Sequence, residues 1–166
     1  MASLYRPNVF KSCSSYGQSM KEILRKTTGI MIYAGIGAVC GLLLNTLIMH
    51  SPLPDIFQAY TERYRGRLFS VDIIAGVLLF CILAPVLEEL IFRRLAYDLI
   101  YLRAGFLPAA LISSLIFAAY HMNMIQGIYA FIMGMLFCVL YHRDHRIAVP
   151  IAMHIGANFA VWLLSH

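Results

Sequence analysis

Two adjacent glutamates and an arginine interrupt an otherwise apolar stretch of the sequence. Glu88 and Glu89 follow Pro85 closely, and Arg93 lies four residues after Glu89. On a helix Glu89 and Arg93 share a face and can form an ion pair, whereas Glu88 lies about 100° away from that partner. Pro85 has no amide hydrogen to donate, which loosens the backbone beside the acids. Glu88 is therefore left unpaired by that arginine.

Two further polar clusters supply imidazole and amide groups. His121 ends one apolar stretch, and His154 and Asn158 lie four residues apart in another, so both project to one side of a helix. A carboxylate base, an imidazole partner and neutral donors for an oxyanion are the groups that hydrolysis requires. Taken singly, each histidine has a structural alternative as an interfacial residue or a hydrogen-bonded core residue.

The elements that must position these groups are apolar runs. A membrane-spanning helix needs about 20 predominantly apolar residues. Five runs meet or approach this length: 30–49, 71 to beyond 91, 107–121, 124–141 and 147–165. The candidate site residues lie on three of these runs. Because a charge at the bilayer centre costs about 2.5–3.5 kcal/mol, we expect one shared internal cavity to hold them all.

The composition supports a membrane protein of a single domain. Apolar residues make up 61% of the 166 residues and charged residues 13%, against roughly 45–50% and 25% in soluble domains. This balance excludes a soluble globular protein, a disordered chain and a disulfide-rich secreted module. We therefore predict an all-α integral membrane bundle of about five transmembrane helices. Residues 1–29 form a basic N-terminal tail or interfacial segment, and residues 30–166 form one bundle with its catalytic core at about 71–165.

The basic residues predict the orientation of the bundle. With the N-terminus in the cytoplasm, ten Lys and Arg residues fall on the cytoplasmic side and three on the other. The ten are Arg6, Lys11, Lys21, Arg25, Lys26, Arg93, Arg94, Arg103, Arg143 and Arg146, and the three are Arg63, Arg65 and Arg67. The positive-inside rule therefore favours a cytoplasmic N-terminus and, with five spans, a C-terminus outside.

Three motifs in this order resemble those of a known family. Glu88-Glu89-x-x-x-Arg93, Phe117-x-x-x-His121 and His154-x-x-x-Asn158 are similar to the motifs of the CPBP family. These are the CAAX-protease and bacteriocin-processing (Abi) intramembrane peptidases, which include the type II CAAX prenyl endopeptidases. Each motif alone is short, but three in order on apolar segments are specific. The resemblance covers roughly residues 71–165.

The resemblance implies a role for each of these residues. Glu88 would act with His121 to activate a water molecule for attack on a peptide carbonyl. Glu89 and Arg93 would form a supporting ion pair. His154 and Asn158 would stabilise the tetrahedral oxyanion. The implied activity is that of an intramembrane endopeptidase, of either the glutamic or the metalloprotease type.

A zinc-dependent mechanism is the main alternative within the family. Glu88, His121 and His154 could equally form a zinc set of two histidines and a glutamate with one open position. We favour the mechanism without a cofactor, because Asn158 is a poor zinc ligand but a good oxyanion donor.

Other classes of function stay open at this point. The protein could be a non-catalytic immunity or binding protein of the membrane, or a haem-binding electron-transfer protein with His121 and His154 as axial ligands. The charged segment could also be a topology anchor. The expected partners are the lipid bilayer and a peptide or protein substrate, either prenylated or a leader or signal peptide, with no nucleic acid. We expect a multi-pass location in a bacterial cell membrane.

Overall fold

The chain folds into helices throughout the part that the structure describes. This computed structural model describes the backbone of residues 9–57 and 72–165 and the side chains of residues 27–57 and 72–164. Within these ranges every regular element is helical. The helices are α1 (Val9–Met49), the short α2 (Leu53–Ile56), α3 (Ile73–Ala104), α4 (Phe106–Tyr120), α5 (Met124–Asp144) and α6 (Ala148–Ser165). The arginines at 63, 65 and 67 lie outside the described residues.

The outer surface of this bundle is apolar, as expected for a protein surrounded by lipid. Thr27–Met49 within α1, Ile73–Ala104 and Met124–Asp144 are long and apolar enough to cross a membrane. The remaining two apolar helices, α4 with 15 residues and α6 with 18, are shorter than a full span. Large apolar side chains such as Leu102 are exposed on the outside of the bundle. Each of the five predicted runs corresponds to a helix over nearly all of its described residues, and the prediction of a helical membrane bundle is confirmed.

Helix α1 is longer than the first predicted run. Its backbone is helical from Val9 and passes residue 29 without a break. Whether residues 9–29 lie at the membrane surface stays a prediction, as does the division of the chain at residue 29.

Helix α3 contains two π-helical stretches on either side of the glutamates. Val77–Leu83 and Leu90–Tyr97 are wound as π-helix, and α-helical turns separate them. The first stretch ends at the proline predicted to loosen the helix, because the amide of Ala84 donates to the carbonyl of Leu79 and Pro85 has no amide hydrogen. π-Helical turns occur frequently at functional sites.

Helices α1 and α6 are in backbone contact at glycines. Gly37 of α1 lies against the backbone of Met153, and Gly156 of α6 lies against the backbone of Ala34. A β-carbon at either glycine would overlap main-chain atoms of the other helix. These two glycines therefore bring α1 directly onto the helix that carries His154.

We expect Gly37→Ala to destabilise the bundle. The new methyl group would force α1 away from Met153, and overpacking of this kind costs about 1–3 kcal/mol. Gly35→Ala is the matched control, because nothing lies within 4 Å of a β-carbon at position 35 and alanine favours helix. Thermal unfolding in detergent should show a lower midpoint for Gly37→Ala alone. Equal midpoints for the two variants would contradict the close contact.

Candidate active site

A cavity of about 440 Å³ lies inside the bundle. Residues of α1, α3, α4, α5 and α6 and of the turn between α4 and α5 form its wall. Among the polar residues that line it are Glu88, His121, His154 and Asn158, together with Asn45, Asn123, Gln126 and Tyr129. Four of the six site residues predicted from the sequence therefore border one internal space, which we call the central cavity. The other two, Glu89 and Arg93, are buried behind it.

Glu89 and Arg93 form the ion pair that their spacing predicts. Nη1 of Arg93 donates to Oε1 of Glu89 at 3.0 Å, and both side chains are fully buried. An ion pair removed from water is stable only with good geometry and further polar contacts. One such contact is present, since Oε1 of Glu89 also accepts a hydrogen bond from His154.

Aromatic rings surround the guanidinium of Arg93. Its central carbon lies 4.5 Å from the ring centroid of Phe117 and 5.2 Å from that of Phe137. Gly134 leaves the necessary space, because a β-carbon there would lie 3.0 Å from Nη2 of Arg93. Nε and Nη2 of Arg93 have no hydrogen-bond partner among the described residues. The negative faces of the two rings attract the cation instead. Neither Phe137 nor Gly134 was predicted to belong to the site, and the glycine within an apolar helix was the one signal in the sequence that pointed to it.

His154 lies between the two glutamates. Its Nδ1 donates to Oε1 of Glu89 at 2.8 Å, and its Nε2 is 3.6 Å from Oε2 of Glu88. The ring stacks obliquely against Phe137, with 5.1 Å between the centroids. The contact with Glu89 fixes the ring orientation, as a carboxylate does for many functional histidines. This contact was not predicted from the sequence, because the two residues are 65 positions apart.

The backbone of α4 orients His121. Nδ1 of His121 donates to the carbonyl of Phe117 at 2.8 Å, and its ring packs edge-on against the rings of Phe117 and Tyr120. Since the carbonyl can only accept, Nδ1 carries a hydrogen. In the neutral ring Nε2 is then the hydrogen-bond acceptor. The Phe117-x-x-x-His121 spacing therefore has a direct structural purpose, because the residue four positions later reaches back to the carbonyl of the first.

Asn158 contacts the loosened part of α3. Its Nδ2 donates to the carbonyl of Phe80 at 2.9 Å. In a π-helical turn this carbonyl would accept from residue 85, which is a proline, and the amide of Ala84 is bonded to Leu79. Asn158 thus supplies the donor that Phe80 lacks within its helix. One amide hydrogen of Asn158 is used in this way, and the second remains for the central cavity.

The donor atoms at the site are chemically suitable for a metal ion, but they are not gathered around one point. In both His121 and His154, Nδ1 is hydrogen-bonded to an oxygen atom. Histidines that bind zinc through Nε2 have the same arrangement. Among the described residues, however, no three His, Cys, Asp or Glu side chains are grouped closely enough to hold a metal ion. The structure therefore shows ligands of the right type without a ligand cluster.

Together, the apolar exterior and the buried charged cavity define a multi-pass integral membrane protein. Residues 70–160 match the family described as "Type II CAAX prenyl endopeptidase Rce1-like", and the chain belongs to this family. The match covers more than half of the chain and contains all six predicted site residues. It does not include α1. The resemblance inferred from the three motifs is confirmed.

One curated relative supports the same assignment. The chain is 37% identical over 99 residues to the protein named "Putative membrane peptidase YdiL" of Bacillus subtilis (strain 168). This alignment covers 57% of the present chain and 41% of the relative, so the chain spans less than half of the relative's length. No solved structure matches the chain.

Proposed function

We propose that this protein is an intramembrane endopeptidase that hydrolyses a peptide bond with water activated by Glu88. The observation that carries the proposal is the central cavity, which brings Glu88, His121, His154 and Asn158 together inside a membrane bundle. Membership of a family described as endopeptidases and similarity to a protein named as a membrane peptidase support it.

In the proposed mechanism Glu88 and His121 hold the attacking water. One hydrogen of the water faces the carboxylate of Glu88, and the other faces Nε2 of His121, the acceptor nitrogen of the neutral ring. Glu88 removes a proton as the oxygen attacks the peptide carbonyl. It then delivers this proton to the leaving amine, so that the carboxylate is restored at the end of the reaction.

His154 and Asn158 stabilise the oxyanion in this mechanism. His154 already donates from Nδ1 to Glu89, so donation from Nε2 requires the imidazolium form. With His154 protonated, two carboxylates are balanced by one guanidinium and one imidazolium. When Glu88 takes up the proton, the site gains one positive charge as the substrate gains one negative charge. The second amide hydrogen of Asn158 is the other oxyanion donor.

Glu89 and Arg93 keep this arrangement in place without touching the substrate. Glu89 holds the ring of His154, and Arg93 holds Glu89. Their burial behind the central cavity supports a positioning role for both.

A comparison of peptides from cells that carry wild-type or Glu88→Ala protein tests the activity. We expect a set of peptides whose release depends on the wild-type protein. Identical peptide sets at equal protein levels would contradict the proposal and favour a binding role.

The purified protein is expected to keep its activity in strong chelator and to contain no stoichiometric zinc. The physical reason is that Glu88 and His121 suffice to activate water in the proposed mechanism. A peptide found in the cell comparison provides the assay. Inactivation by chelator that added zinc reverses would instead reassign Glu88, His121 and His154 as metal ligands.

A further inference from the structure

Two polar contacts join α3 to α6, one on each side of Pro85. After Pro85, Glu89 accepts a hydrogen bond from His154 at 2.8 Å. Before Pro85, the carbonyl of Phe80 accepts one from Asn158 at 2.9 Å. Because His154 and Asn158 are four residues apart, both contacts come from one face of α6. Pro85 therefore lies between the α3 partners of the two groups that the proposed mechanism assigns to the oxyanion.

The carbonyl of Phe80 receives no hydrogen bond from the backbone of its own helix. Its donor in an α-helix would be the amide of Ala84, which donates to Leu79 instead. Its donor in a π-helix would be residue 85, and proline has no amide hydrogen. The π winding and Pro85 together leave this carbonyl to the side chain of Asn158.

The position of this carbonyl in the membrane makes a donor necessary. Phe80 lies within Ile73–Ala104, which is long and apolar enough to cross a membrane, and lipid tails donate no hydrogen bonds. Since a carbonyl oxygen only accepts, the contact selects the amide nitrogen of Asn158 and not its oxygen. Asn158 is thereby held in one orientation, with one N–H bound to Phe80 and the other left for the central cavity.

Aromatic packing holds the turn that carries Phe80 against α6. The ring centroids of Phe80 and Trp162 are 5.9 Å apart. Gly76, one turn earlier, lies against the same indole, and a β-carbon at position 76 would overlap it. Trp162 follows Asn158 by four residues and shares its face of α6. A substitution at position 85 should therefore change the donors available to the Phe80 carbonyl more than it changes the position of that carbonyl.

On the basis of the proposed peptidase activity, we propose that Pro85 is a positioning residue, which orients the oxyanion donor Asn158 by denying the carbonyl of Phe80 a donor from its own helix. Pro85 is fully buried and does not line the central cavity, so it acts through Asn158 and not on the substrate. An amide hydrogen at position 85 would satisfy the carbonyl and release Asn158 to other orientations.

A double-mutant cycle in thermal unfolding tests this link without an activity assay. Asn158→Ala leaves the carbonyl of Phe80 without a donor and should lower the unfolding midpoint. Pro85→Ala introduces an amide hydrogen that can donate to the same carbonyl. In the Asn158→Ala background, Pro85→Ala should therefore recover part of the lost midpoint, and its effect should be more favourable than in the wild type. Equal effects of Pro85→Ala in the two backgrounds would overturn the inference.

Pro150→Ala is the matched control for this cycle. Pro150 is also a fully buried proline within a helix. It lies eight residues before Asn158 on α6, about 12 Å along the helix, so its effect should add to that of Asn158→Ala. The same recovery with Pro150→Ala would overturn the role of the amide hydrogen at position 85. Asn158→Leu, which keeps the side-chain volume without the donor, takes the place of Asn158→Ala if that variant does not fold.

Kinetics separate this inference from the proposed function. On a peptide from the cell comparison, Pro85→Ala should lower kcat about 3- to 10-fold, as for the loss of one hydrogen bond. KM should stay unchanged, because the oxyanion forms only during the reaction. In the Asn158→Ala background the same substitution should leave kcat unchanged.

Two kinetic results would overturn the positioning role and leave the peptidase proposal intact. One is a fall in kcat for Pro85→Ala that is equally large with and without Asn158, and the other is a rise in KM alone. Absence of cleavage by the wild-type protein would instead contradict the peptidase proposal, whereas the unfolding cycle would still decide whether Pro85 controls the contact of Asn158 with Phe80.

Discussion

Glu88→Gln should yield a folded protein whose peptidase activity falls to background. Glutamine keeps the size of the side chain, but its amide cannot take up the proton of the attacking water, and general base catalysis contributes about 10²–10⁴-fold. Stability should change little, because the carboxylate of Glu88 borders the cavity and its ion-pair contact, 3.6 Å to His154, is long. Initial rates on a cleavable peptide, with thermal unfolding in the same detergent, provide the measurement.

Glu89→Gln is the matched comparison for this prediction. The chemical change is the same and the position is adjacent, but Glu89 is fully buried and bonded to both Arg93 and His154. This variant should lose stability as well as activity, because it leaves a buried guanidinium without its counter-charge. If Glu88→Gln retained near wild-type rates, Glu88 would not be the base.

Arg93→Ala should sharply reduce the amount of folded protein. The substitution leaves the buried carboxylate of Glu89 without its cation and opens a space between Phe117 and Phe137. Breaking one partner of a buried ion pair costs about 3–5 kcal/mol, which is a large part of the 5–15 kcal/mol of typical folding stability. Yield after extraction and the unfolding midpoint in detergent report the effect.

Arg94→Ala is the control for the neighbouring position. Arg94 is mainly exposed and contacts Asp98 at 3.4 Å, and ion pairs of that kind contribute about 0–1 kcal/mol. We therefore expect nearly normal yield for this variant. Normal yield of Arg93→Ala with a selective loss of substrate affinity would contradict the positioning role and indicate that Arg93 binds substrate.

The helices and the ion pair were predictable because local periodicity determines both. An apolar helix longer than a few turns must pack against lipid or against other helices. The position of each helix along the chain therefore follows from the apolar pattern of the sequence. The pairing of Glu89 with Arg93 needs only helical spacing. The second run had no predicted end beyond residue 91, and the helix continues to Ala104 because Arg93 is buried in an ion pair and Arg94 contacts Asp98, so neither arginine ends it.

The cross-helix contacts were not predictable from the sequence. The bond from His154 to Glu89 depends on the rotation of α6 relative to α3, which no periodicity within either helix determines. Similarly, the aromatic contacts of Arg93 depend on the space at Gly134 of a third helix. The bond from Asn158 to Phe80 depends on π-helical winding, which apolar patterns do not reveal. The catalytic roles implied by the family resemblance stay predictions until the variants are measured.

The π-helical winding before Pro85 bears on how α3 can change in length during evolution. A π turn holds about one residue more than an α turn, so a single deletion between Val77 and Leu83 could be absorbed by a return to α winding. Everything after Pro85, including both glutamates, would keep its register. The first turn of α3 would also keep its face, because the lost residue and the lost π winding compensate each other, so Gly76 would stay against Trp162. Relatives with a one-residue gap in this stretch should therefore carry their small residue at the position equivalent to Gly76.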